Sequence, residues 1–119
     1  MANKLAYHAN CWGALGGDAV GVTSITQLTY RTFGDMEKAI NDIAAAGYEG
    51  TEIFDANLLD YAAGNYKGLK SILKSAGIKL VAAYSGANFI FDDILPEELA
   101  KLERAAAGAA ECGAEHFVV

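Results

Sequence analysis

Residues 47–55 read GYEGTEIFD: a glycine, an aromatic residue and a short β-like run that ends among acidic side chains. An apolar helical segment precedes it and stops at Gly47. The run after it is too short for another helix and reads as a strand. A buried strand would ordinarily finish on Val or Ile, so Glu52 and Asp55 are explained only by the end of the strand at which they sit. Parallel α/β folds place their sites at the carboxyl ends of the strands, and both residues lie at that end.

The same unit recurs along the chain. Met36, Ile40, Ile43 and Ala44 show helical spacing before Gly47; Leu69, Ile72, Leu73 and Ala76 do so before Gly77 and the run IKLVAAY. A third helix is expected to open at Pro96, Glu97 and Glu98, residues suited to a first turn by shape and by the helix dipole. It continues through Leu99, Leu102, Ala106 and Ala109 to Gly113 and the run EHFVV. With the opening run KLAYHANCW the order is β-α-β-α-β-α-β, and strands separated by helices must be parallel. Connections after the helices are short, whereas those after the strands are long and polar, as expected where loops carry function.

Composition narrows the function classes. The chain has 119 residues, one domain or part of one, with Lys+Arg 9 against Asp+Glu 15 and no basic block to neutralise a phosphate backbone, so nucleic acid is not expected as a partner. No apolar run reaches membrane-spanning length, and the start MANKLAYHANCW lacks the apolar centre of a signal peptide, which points to the cytoplasm. Cys11 and Cys112 are read as buried free thiols.

The first strand ending in NCW, the helix ending AAAGYEGTEIF and the third strand entered through SAGIKLVAAYS together resemble the first half of the sugar phosphate isomerase/epimerase superfamily. That resemblance implies a xylose isomerase-like TIM barrel, and AGYEGTE is its most specific piece. The expected fold class is therefore α/β, the first half of a (β/α)8 TIM barrel with parallel strands, with residues 1–119 as a single partial domain. A complete barrel takes about 250 residues, so the chain is expected either to belong to a longer protein or to close its barrel with a second copy through its open strand edges. The implied function is metal-dependent isomerisation, epimerisation or dehydration of a small sugar, polyol or sugar phosphate. The cation (Mn, Co, Mg or Zn) would be held by later strands, so no metal is expected in this chain, which by itself is expected to be inactive. The alternative is a non-catalytic, flavodoxin-like open α/β module binding a small ligand; it requires a change in strand order and helices on both faces.

Candidate substrate-binding residues follow from alternation along the strands. In the second strand Gly50, Glu52 and Phe54 share one face, so Glu52 points into the pocket if Ile53 packs on the helices; the alternative is a structural glutamate paired with a cation. In the first strand His8, Asn10 and Trp12 share the polar face, Trp12 as a stacking platform for a sugar, against Leu5, Tyr7, Ala9 and Cys11 on the helix side. The alternatives are a core histidine and a Trp12 that merely plugs the top. Ser85, ending the third strand, either hydrogen-bonds substrate or starts a turn. Asp55 is expected to cap the next turn and His116 to be structural. GALGG at 13–17 lacks the Lys and Ser/Thr of a phosphate loop and is read as a flexible lid.

Overall fold

A computed structural model describes residues 3–17 and 29–119. Its strands are β1 (Ala6–His8), β2 (Ala14–Gly17), β3 (Tyr30–Phe33), β4 (Gly50–Phe54), β5 (Lys79–Tyr84) and β6 (His116–Val118). Its helices are α1 (Met36–Ala45), α2 (Asp55–Leu59), α3 (Lys67–Ala76) and α4 (Leu95–Glu111), with a single 3-10 turn at Ala62–Gly64.

The expected helices form for the expected local reasons. Asp35 caps α1 by accepting a hydrogen bond from the Lys38 N–H at 3.0 Å. Pro96 lies in the first turn of α4, where a missing N–H costs nothing. Gly47, Gly77 and Gly113 all take positive φ (90°, 74° and 85°) just past α1, α3 and α4. Behind each of them the next residue folds back onto the helix: Tyr48 N–H to the Ile43 carbonyl, Ile78 to Leu73 and Ala114 to Ala109, at 3.3, 3.2 and 2.9 Å. This is the Schellman ending, and it turns the chain into the following strand.

The main sheet runs β1-β4-β5-β6, all parallel and in chain order. That order lacks the reversal a flavodoxin-like sheet requires. One face is apolar: Ile53, Leu80 and Ala83 bury themselves against Ile40 and Ile43 of α1 and Leu69 and Leu73 of α3. Burying each such aliphatic side chain stabilises the fold by roughly 1.5–3 kcal/mol. A bulge interrupts the β4–β5 ladder, where Thr51 pairs with Leu80 but Glu52 pairs with Ala82, leaving Val81 as the extra residue. The extra residue shifts the alternation of β5, so that Ala83 joins the helix-side core and Tyr84 pairs with Phe54 on the other face.

The architecture is thus mixed α/β with a parallel sheet, but its element order is richer than the seven elements expected. Two additions extend the sequence reading. The stretch at 13–17 is not an irregular loop: Ala14–Gly17 pairs antiparallel with Tyr30–Phe33. Residues 18–28 of that connection lie outside the described residues. The hairpin can lie close because Gly13 and Gly34 cross backbone to backbone; a Cβ at either would sit 2.1 or 2.2 Å from a carbonyl oxygen of the other strand. Its inner strand is clamped by the Asn57 side-chain amide, which accepts from Thr32 N–H at 2.9 Å and donates to the Thr32 carbonyl at 3.0 Å. The Thr32 hydroxyl donates in turn to the Ala9 carbonyl at 3.1 Å. The second addition is α2, which replaces the irregular connection expected after GTEIF.

Candidate functional site

At the carboxyl ends of the strands, the sheet face turned away from the helices gathers one carboxylate, one imidazole and three phenyl rings. Ile53 is fully buried against the helices, so alternation puts Glu52 and Phe54 on the opposite face. His8 lies directly across from Glu52 in the β1–β4 register. The His8 Nε2 and Glu52 Oε1 atoms are 3.5 Å apart, at the outer limit of a hydrogen bond, with about a quarter or less of either side chain exposed. Burial pushes the His8 pKa below the ordinary imidazole value, against a smaller upward pull from Glu52. The ring is therefore neutral at pH 7, with one nitrogen able to donate and the other to accept. Its Nδ1 is buried and has no hydrogen-bond partner among the described residues.

The aromatic part packs around Phe54. His8 meets its ring edge-on at 4.5 Å, Tyr30 stacks on it at 5.8 Å and Tyr84 meets it edge-on at 5.8 Å. Tyr30 and Tyr84 close the cluster at 5.4 Å. Toward the amino ends the same concave face continues into a cavity of about 410 Å³ whose lining includes Leu5, Gly50, Val81 and His116.

Two buried polar networks hold the loops around this face. Asp55, fully buried, accepts from the N–H groups of Tyr30 and Ala56, each at 2.8 Å, and from the Ser85 hydroxyl at 2.6 Å. One carboxylate thereby ties the hairpin, the start of α2 and the end of β5 together. Burial raises the Asp55 pKa, opposed by the Ser85 and backbone hydrogen bonds and by the charge of Lys101. In the second network Glu98, also fully buried, accepts from Asn88 N–H at 3.0 Å and lies 3.4 Å from the Lys101 ammonium. Lys101 itself donates to the Gly86 carbonyl.

Of the five residues singled out in the sequence, the structure brings His8 and Glu52 together. Trp12 lies elsewhere: its indole N–H donates to Asp42 of α1 at 2.7 Å and its ring meets Tyr7 edge-on, on the helix side. Strict alternation fails there because β1 ends at His8, where the Asn10 N–H turns back onto the His8 carbonyl at 2.8 Å. Asn10 is half-buried in that turn. Ser85 is fully buried and engaged with Asp55. Cys11 is exposed, contrary to expectation, with its thiol 3.7 Å from the Tyr7 hydroxyl; Cys112 is half-buried, and both are free. Sequence reading missed Tyr30, Phe54 and Tyr84 as parts of the site. The signal for Phe54 was present, since it shares its face with Glu52.

No family model matches the sequence, and no curated protein matches it either. Among solved structures, the apo crystal structure of 3-keto-D-glucoside 4-epimerase, YcjR, from E. coli matches 75% of this chain with a TM-score of 0.61 and 22% identity. The likeness is one of fold. The chain spans 35% of that epimerase's length. Among the described residues no group of three or more His, Cys, Asp and Glu side chains converges on one point. His8 and Glu52 supply two donors, so the residues present do not by themselves amount to a cation site. No helix among the described residues is long and apolar enough to cross a membrane.

Proposed function

We propose that this chain forms the first half of a (β/α)8 barrel of the sugar isomerase/epimerase type. In this reading the face bearing His8, Glu52, Phe54, Tyr30 and Tyr84 is its share of a pocket for a small sugar, polyol or sugar derivative. The observation that carries the reading is the one-sided sheet: four parallel strands in chain order have an apolar core on the helix face and a polar-aromatic cluster at the carboxyl ends of the other. Sequential parallel strands with right-handed crossovers keep their helices on one side, which is how a barrel curls closed. The fold likeness to an epimerase named for a 3-keto-D-glucoside supports the same direction.

Within such a pocket each residue has a definite capacity. Glu52 accepts hydrogen bonds from sugar hydroxyls, and the neutral His8 ring stands beside it with Nε2 3.5 Å away, its unpartnered Nδ1 being buried. The rings of Phe54 and Tyr84 cover the apolar C–H face of a sugar and keep water off it. A divalent cation that polarises the substrate carbonyl, as the resemblance implies, would be held by strands of the other half. This half binds and orients.

Two outcomes are expected. In the full-length enzyme Glu52→Gln, which keeps shape and removes charge, lowers kcat/KM about ten-fold, equivalent to ~1.4 kcal/mol of transition-state stabilisation; unchanged kinetics with lowered stability would make Glu52 structural. The 119-residue chain alone is expected to self-associate, because the outer edges of β1 and β6 present unpaired backbone groups in the parallel sheet. Sedimentation equilibrium at micromolar concentration checks this, and a cooperatively melting 12.5 kDa monomer contradicts it.

A further inference from the structure

We propose that this face selects a neutral, unphosphorylated sugar ring over a sugar phosphate, an inference that rests on the sugar-pocket reading and sharpens it. The chain has nine Lys and Arg residues, and their positions are all described. Lys4 and Lys79 lie at the amino ends of the strands, opposite the cluster, and Lys4 pairs with Glu49. Lys38, Lys67, Lys70, Lys74 and Arg104 lie on α1, α3 and α4, in the helical layer. Only Arg31 and Lys101 come near the loops of the carboxyl-end face, and both are engaged. Arg31 grips Asp60 through both guanidinium nitrogens, and Lys101 is buried on Glu98 and the Gly86 carbonyl.

Helix amino ends, the other common phosphate cradle, carry acid at α1, α2 and α4, whereas α3, which opens at Lys67 in the helical layer, has none in its first turn. Asp35 accepts from the Lys38 N–H of α1, Asp55 from the Ala56 N–H of α2, and α4 opens with Glu97 and Glu98. A phosphate at the cluster would meet the Glu52 carboxylate and a neutral imidazole, and no Lys or Arg among the described residues pairs with either; Lys4 and Lys79 line the cavity at the amino ends instead. A pyranose ring needs no cation: its C–H face fits the rings of Phe54, Tyr30 and Tyr84, and its hydroxyls suit Glu52 and His8.

Saturation-transfer difference NMR at low salt tests the inference with methyl β-D-glucopyranoside and D-fructose against D-glucose 6-phosphate and D-fructose 6-phosphate. The neutral probes are expected to bind, with saturation strongest on their ring C–H protons, and the phosphorylated ones to bind at least ten-fold more weakly. That gap should narrow as salt screens the repulsion, and narrow again in Glu52→Gln, which removes the charge without touching the core. Phosphorylated probes binding equally or more tightly would overturn the selectivity while leaving the sugar pocket in place. No binding by any of the four probes would overturn the sugar pocket and the selectivity with it.

Discussion

Asp55→Ala is expected to lower the unfolding free energy by about 4 kcal/mol, three charge-assisted or buried hydrogen bonds being lost at once. The Tyr30 and Ala56 N–H groups and the Ser85 hydroxyl all donate to this carboxylate, and Asp55 and Ser85 are fully buried. Alanine leaves those donors unsatisfied and a hole behind, which against a typical total of about 5–15 kcal/mol leaves a marginal protein. Asp55→Asn separates shape from charge. Its amide oxygen can accept from both N–H groups and its amide nitrogen can donate to Ser85, so most of the stability should survive. The pH dependence then has a definite sign. Burial raises the Asp55 pKa in the folded state above its unfolded value, so the folded state binds the extra proton. The resulting stability is present in full below the unfolded pKa and is lost as pH rises through the folded pKa. Wild type should therefore lose ground to Asp55→Asn across that interval. Urea titrations from acid to neutral pH check this; a pH-independent difference between the two, or an alanine variant as stable as wild type, contradicts it.

Glu98→Ala is expected to cost about 3 kcal/mol, because removing the carboxylate of a buried pair leaves the remaining charge less compensated. Lys101 keeps the Gly86 carbonyl but loses the Glu98 carboxylate, and the Asn88 N–H loses its bond to Glu98. The damage should concentrate in the connection between β5 and α4, where both contacts land. Hydrogen exchange should show protection of the Asn88 amide lost, well beyond the fall in global stability. A chemical denaturation midpoint unchanged from wild type would mean that the pair carries no net stability.

Much of the fold was legible because it is local. Gly47, Gly77 and Gly113 announce three helix ends, for only a residue tolerant of positive φ closes a Schellman turn without strain. The apolar spacing in Met36–Ile43 and Leu69–Leu73 gives the buried helix stripes, and parallel pairing follows from strands separated by helices. The face of Glu52 was legible only conditionally: GTEIF offers both Ile53 and Phe54 to a core, and it is the burial of Ile53 against the helices that, by period-two alternation, turns Glu52 to the other face.

Long-range contacts decided what the sequence left open. Strict alternation from the buried Leu80 would turn Ser85 to the open face; the bulge at Val81 reverses it, sending Tyr84 to that face and Ser85 into Asp55. GALGG has poor strand propensity by itself, and it becomes a strand only by pairing with Tyr30–Phe33, which Asn57 and Asp55 hold from another element. Glu98, expected only as a first-turn residue, and Lys101 are both buried, and Glu98 accepts from Asn88 of the preceding connection. Local pattern thus determined the elements and the faces that α1 and α3 bury, but not that of α4, which buries Glu98, Lys101, Ala105 and Gly108 and leaves the expected Leu99 45% exposed. Tertiary structure decided which polar groups meet, because a hydrogen bond between residues 25 or 30 apart depends on where the chain returns, and nothing in a short window of sequence encodes that.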